Sequence, residues 1–147
     1  MKHSGGCHCG AIGFAFETAL APSAWAIRAC QCTFCRAHAA LSSSDPQGRL
    51  AFVATDPAHL VRYRFGLGTA DFLLCSRCGV YLGARTVTPE GTFGVINVHA
   101  LQPIPPDLAA PSPTSYDGEP AAARSSRRAQ RWTPVVDELD WEPARKP

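Results

Sequence analysis

The sequence predicts a mostly β domain of two antiparallel sheets or an irregular barrel, with few short helices and an irregular, proline-rich C-terminal arm. Three observations predict it. Short apolar runs alternate with period two and are separated by glycine and proline, as strands and turns require. Helix signals are confined to two short segments. Seven cysteines fall into three tight groups that are far apart in the chain.

Taken in order, residues 11–16 alternate, with Ile12, Phe14 and Phe16 on one face. Residues 25–30 place Trp25 and Ile27 together, and residues 50–54 form the next run. In residues 60–65, Val61, Tyr63 and Phe65 face one way while Arg62 and Arg64 face the other. Residues 72–75, 80–84 and 92–98 complete the strands. Thr33 caps a short turn through residues 34–40, and residues 121–131 form the second helix candidate. Proline then divides the chain, with four in residues 1–100 and nine in 101–147. The folded core therefore runs to about residue 100, and the remainder is an arm that wraps the core or leaves it.

The chain of 147 residues suits one domain, and 46% apolar against 18% charged residues is a globular balance. No apolar run approaches the roughly 18–20 residues of a membrane span. The first residues lack a signal-type stretch, so a cytoplasmic setting without membrane contact is expected. A net charge of +2 from 14 basic and 12 acidic residues disfavours a general nucleic-acid or membrane binder. An odd number of cysteines in a reduced compartment points to metal rather than a closed disulfide set.

The groups are Cys7-x-Cys9, Cys30-x-Cys32-x-x-Cys35 and Cys75-x-x-Cys78-Gly79. Zinc favours thiolates: four close a structural site, and three leave one position open for water or substrate. The triad Cys30, Cys32 and Cys35 is local enough to hold an ion by itself, which leaves Cys7, Cys9, Cys75 and Cys78 for a closed site. Spacing also allows two CxxC knuckles, Cys32 and Cys35 with Cys75 and Cys78, as in a zinc ribbon.

Gly6-Cys7-His8-Cys9-Gly10, Cys30-Gln31-Cys32-Thr33-Phe34-Cys35-Arg36 and Cys75-Ser76-Arg77-Cys78-Gly79 together resemble the glutathione-dependent formaldehyde-activating enzyme family, which includes the centromere protein V domain. The resemblance continues through Ile96-Asn97-Val98 and Tyr116-Asp117-Gly118. It implies a two-sheet β-tent fold over residues 1–118, stapled by a structural zinc on Cys7, Cys9, Cys75 and Cys78, with residues 119–147 as a C-terminal tail. It implies a second, catalytic and labile zinc on Cys30, Cys32 and Cys35. The implied activity is that of a carbon–sulfur lyase, adding glutathione or another small thiol to a small aldehyde such as formaldehyde to give S-hydroxymethylglutathione.

Glutathione is anionic, so cations near the triad should attract it. Arg36, within the family's CxCxxCR motif, is the candidate glutathione contact, and Arg85 is a weaker one. On a short helix His38 could face the open site as a proton shuttle; His8 and His99 carry less signal. Phe34 either lines the aldehyde pocket or anchors the loop. The alternative is a non-catalytic zinc module, structural or interacting with protein or nucleic acid. For this alternative, Arg124, Arg127, Arg128 and Arg131 fall on one face of any helix there. A solvated face balanced by Asp137, Glu138, Asp140 and Glu142 is the preferred reading of that row. Trp132 and Trp141 need a surface to bury against, either this core or a second copy in a homo-oligomer joined through the arm.

Overall fold

The computed structural model describes residues 1–136. Asp137, Glu138, Asp140, Trp141 and Glu142 lie outside the described residues. The elements are β1 (Lys2–Gly6), β2 (Ile12–Glu17), β3 (Arg28–Cys30), α1 (Thr33–Ala37), β4 (Ser42–Ser43), β5 (Arg49–Ala54) and β6 (Leu60–Tyr63). They continue with β7 (Asp71–Cys75), β8 (Tyr81–Thr88), β9 (Gly91–Asn97), β10 (Ser112–Thr114), α2 (Ala121–Arg131) and β11 (Thr133–Pro134).

The chain is mostly β, with two sheets and few helices, as the alternating runs predict. The smaller sheet has the order β1-β2-β5. The larger has the order β10-β3-β4-β9-β8-β7-β6, with β11 added alongside β9. Two short strands share one edge of β9: β4 pairs at Asn97 and Ile96, and β11 at Gly94 and Phe93. One pair departs from the expected antiparallel pattern. β10 runs parallel to β3, with Thr114 opposite Cys30. Its Pro113 has no N–H to give, so β10 is confined to the sheet edge.

Ile12, Phe14 and Phe16 of β2 meet Leu50 and Phe52 of β5 and pack on Leu73, Leu82 and Ile96 of the larger sheet. Gly83 makes the β8–β9 approach possible: a Cβ there would stand 2.1 Å from the Val95 carbonyl oxygen. Trp25 and Ile27 are buried, yet the strand begins only at Arg28, because Pro22–Ala24 forms a 3-10 turn just before. β8 runs on to Thr88, since buried Thr86 satisfies its hydroxyl by donating to the Thr69 carbonyl at 2.7 Å. In β6 the face carrying Val61 and Tyr63 is the open one: they are 39% and 47% exposed, while Leu60 packs on the core. β6 is the last strand of its sheet, and its Tyr63 ring joins an aromatic cluster with Phe34 and Phe65.

The second helix forms where it was expected and lies on the core. Trp132, at its C-terminal end, is buried against Ala70, Ala84 and Val95. Thr133 is fully buried, and its hydroxyl accepts from the Asp45 N–H at 2.9 Å. Among the described residues no helix is long and apolar enough to cross a membrane.

Candidate metal centres and the adjoining cavity

The seven sulfurs gather into a group of four and a group of three. In the first, Cys7 follows β1, Cys9 sits in the turn to β2, Cys75 ends β7 and Cys78 sits in the turn to β8. All four Sγ atoms lie within 4.8 Å of one another. Cys9 Sγ is 3.6 Å from Cys7 Sγ and 3.5 Å from Cys75 Sγ. Four sulfurs held about 2.3 Å from one tetrahedral ion stand about 3.8 Å apart, so the spacing of this quartet is compatible with zinc.

Both halves of the quartet use the same device. Gly10 (φ 81°) and Gly79 (φ 79°) take the left-handed conformation that a Cβ disfavours. Each donates back to the first cysteine of its knuckle, Gly10 N–H to the Cys7 carbonyl at 3.2 Å and Gly79 N–H to the Cys75 carbonyl at 2.8 Å. The turned backbone aims amides at sulfur, as in Ile12 N–H to Cys7 Sγ at 3.4 Å. Burial raises the Cys78 thiol, but the backbone N–H groups of Val80 and Cys9, with the neighbouring thiols, outweigh it and bring Cys78 to about 6.

In the second group Cys30 ends β3, Cys32 caps α1, and Cys35 lies on α1. The cap is Cys32 rather than Thr33: its sulfur accepts from the Cys35 N–H at 3.3 Å. The three Sγ atoms again lie within 4.8 Å of one another. A hydrogen bond from the Cys35 thiol, helped by the Cys32 N–H and thiol, draws Cys30 down to about 5 despite burial, and drives Cys35 well up. No group of described residues joins Cys32 and Cys35 to Cys75 and Cys78 in the zinc-ribbon manner. Both groups have the soft, all-thiolate donor set that zinc takes.

The triad opens into a cavity of about 350 Å³. Phe65, Phe72, Tyr81, Ala84, Val95 and Trp132 supply apolar wall, and Arg28, Arg124, Arg127 and Arg128 supply charge. Burial first, then the three thiols beside it, push the Tyr81 hydroxyl well above its ordinary range. Asn97 supports this wall by donating to the Tyr81 carbonyl at 2.9 Å.

Arg36 is exposed on α1 and does not line the cavity, and neither does Arg85, which borders a second cavity with Arg64 and Asp71. His38 is exposed at the end of α1, with its ring 4.5 Å from Phe34; His8 and His99 are also exposed. Phe34 is half-buried in an aromatic cluster with Tyr63, Phe65, Phe72 and Tyr81, where it anchors the loop. The arginine row of α2 is not a solvated face. Arg128 is 7% exposed, and Arg124 and Arg127 bind Glu119 at 3.3 and 3.0 Å. The Arg127 guanidinium also lies 3.7 Å over the Tyr116 ring. Arg131 is exposed. Sequence reasoning missed Arg28 at the cavity, although period two places it on the same face of β3 as Cys30.

Two comparisons bear on this geometry. The model of the glutathione-dependent formaldehyde-activating enzyme family matches residues 2–116. A crystal structure of a Rhodobacter sphaeroides protein is similar at a TM-score of 0.59 and 30% identity, over 76% of this chain and 99% of that one. The α2 wall of the cavity follows the family-matched residues.

Proposed function

This chain belongs to the glutathione-dependent formaldehyde-activating enzyme family, and on that premise we propose that it is a zinc-dependent carbon–sulfur lyase that adds glutathione to a small aldehyde such as formaldehyde. The observation that carries the reading is a three-cysteine group opening into a largely apolar cavity with cationic side chains in its wall. Cys7, Cys9, Cys75 and Cys78 would hold a structural zinc that staples residues 1–118, and residues 119–147 form a C-terminal segment. Cys30, Cys32 and Cys35 would hold a second, labile zinc. Bound there, zinc supplies Lewis acidity that favours the thiolate form of a thiol.

The chain's own residues do the rest. The apolar side chains of Phe72, Tyr81 and Trp132 limit the water beside the triad. Positive charge from Arg124 and Arg127 at the cavity, and from Arg36 on the nearby helix surface, draws in an anionic thiol. Holding thiol and carbonyl side by side lowers the barrier by orientation. The thiol sulfur bonds to the carbonyl carbon, the C=O π pair moves to oxygen, and the thiol proton ends on that oxygen. No oxidant or reductant is needed. The setting we propose is cytoplasmic. A nucleic-acid-binding role is disfavoured because Arg124, Arg127 and Arg128 are turned into the fold.

Elemental analysis of protein purified without chelator tests the metal sites: two zinc ions per chain are expected, falling toward one with glutathione. Cys32→Ser should abolish glutathione-dependent formaldehyde consumption while the structural ion stays. Full activity in that variant refutes the proposal.

A further inference from the structure

Two arginines line the cavity beside the triad and form no ion pair among the described residues. Arg128 is 7% exposed. Its Nη1 donates to the Thr69 hydroxyl at 2.8 Å, and its buried Nε has no hydrogen-bond partner among the described residues. The guanidinium lies 4.8 Å from the Trp132 ring. Arg28, half-buried, donates to the Ser44 hydroxyl at 2.8 Å. Among the described residues neither forms an ion pair: Glu119 is engaged by Arg124 and Arg127, and Asp117, which also borders the cavity, is exposed. A buried charge facing hydroxyls and an indole is costly to leave unanswered. A carboxylate entering the cavity would answer it with short, charge-assisted hydrogen bonds.

Much of the remaining wall is apolar, with Phe72, Ala84, Val95 and Trp132 presenting carbon surface beside the hydroxyls of Ser42 and Thr69. Formaldehyde is uncharged and fills a small part of about 350 Å³, and glutathione is polar along its whole length. Neither uses both features. Arg128 and Trp132 also follow the family-matched residues, so the C-terminal segment adds part of this seat to Arg28 and Phe72, which lie within them.

We propose that the carbonyl substrate is an aldehyde with an apolar body and a carboxylate. The carboxylate sits on Arg128 and Arg28, the body lies along Phe72 and Trp132, and the carbonyl points to Cys30, Cys32 and Cys35. The substrate assignment rests on the thiol–aldehyde reading above; the anion seat rests on the cavity alone.

Calorimetric titration of the metal-loaded full chain, without thiol, uses phenylacetate and its uncharged counterpart phenylacetamide as probes. Phenylacetate should bind at least tenfold more tightly. Arg128→Gln should erase that preference, and Arg28→Gln should reduce it, which serves if the first variant does not fold. With glutathione present, 4-formylbenzoate should be consumed with a kcat/KM at least tenfold above that of benzaldehyde. Equal binding of the two probes overturns the inference, as does a preference that survives both substitutions. Competitive displacement of phenylacetate by glutathione, with glutathione weakened equally by Arg128→Gln, assigns the seat to the thiol and also overturns it. If glutathione-dependent formaldehyde consumption persists while phenylacetate does not bind, the seat fails and the proposed function stands. If phenylacetate binds but no aldehyde is consumed with glutathione, the thiol–aldehyde reading fails and takes the substrate assignment with it.

Discussion

Replacing Trp132 with alanine separates a C-terminal segment that belongs to the fold from one that merely rests on it. The indole is 7% exposed and packs on Ala70, Ala84 and Val95, with Phe72 and Phe93 beside it. A buried tryptophan hides about 200–250 Å², which at about 25 cal/mol per Å² amounts to roughly 5–6 kcal/mol. The alanine methyl keeps part of this, and a denatured chain that already buries some apolar area lowers it further. Because the hole would open into an existing cavity, water can enter, and the loss falls at the lower end of the roughly 3–5 kcal/mol seen for such truncations. The Arg128 guanidinium over the ring adds about 1 kcal/mol. The expected loss is therefore about 4 kcal/mol, or roughly 8–16 °C in melting temperature for a chain of this size. Thermal melts followed by far-UV circular dichroism measure it without relying on the lost fluorophore. Trypsin provides the local readout: cleavage at Arg124, Arg127 and Arg128 should quicken at least tenfold as α2 is released. A shift below about 3 °C together with unchanged trypsin resistance would refute the packing argument.

Gly83→Ala should cost at least about 3 kcal/mol, because its Cβ would sit 2.1 Å from a backbone oxygen that cannot swing away; an unchanged urea midpoint would disprove the close β8–β9 approach. The hydrogen bond from Arg127, and the charges of Arg127 and Arg124, hold the Glu119 carboxyl below its usual range. The stability it contributes is thus present above the unfolded value near ~4.3 and is lost as pH falls through the lower folded value. Wild type and Glu119→Gln should differ by about 1 kcal/mol, roughly 2–4 °C, at pH 6 and converge near pH 3; a difference that persists at pH 3 counts against this.

The strands that could be read from the sequence are those whose two faces differ. Ile12, Phe14 and Phe16 alternate with small residues because only one side of β2 meets the core. β4 and β10 carry no such signal. Ser42 and Ser43 form a strand by being held between β3 and β9, with Ser43 donating to the Ala26 carbonyl at 3.2 Å. In Ser112–Thr114 a proline that usually marks a loop is accommodated at an edge. For β6, alternation identified the strand but not which face turns inward, since position at the sheet edge is a property of topology. The cysteine groups were legible because their spacing is local and their chemistry specific. In the sequence the α2 arginines of the cationic wall read only as a helical row facing solvent. What buries it is Tyr116, Glu119 and Trp132, contacts that exist only once the segment folds back over β8 and β9.

The two sulfur groups also differ in when they come into being during synthesis. The triad is complete once residue 35 has emerged from the ribosome, whereas the quartet must wait for residue 78 and for β7 to find its place beside β8. At about 5–20 residues per second this is a lag of roughly 2–9 s. A nascent chain thus offers a finished three-thiolate group before its four-thiolate group exists. Metal shortage or oxidant during translation would act on the two groups unequally, and first on the one beside the cavity.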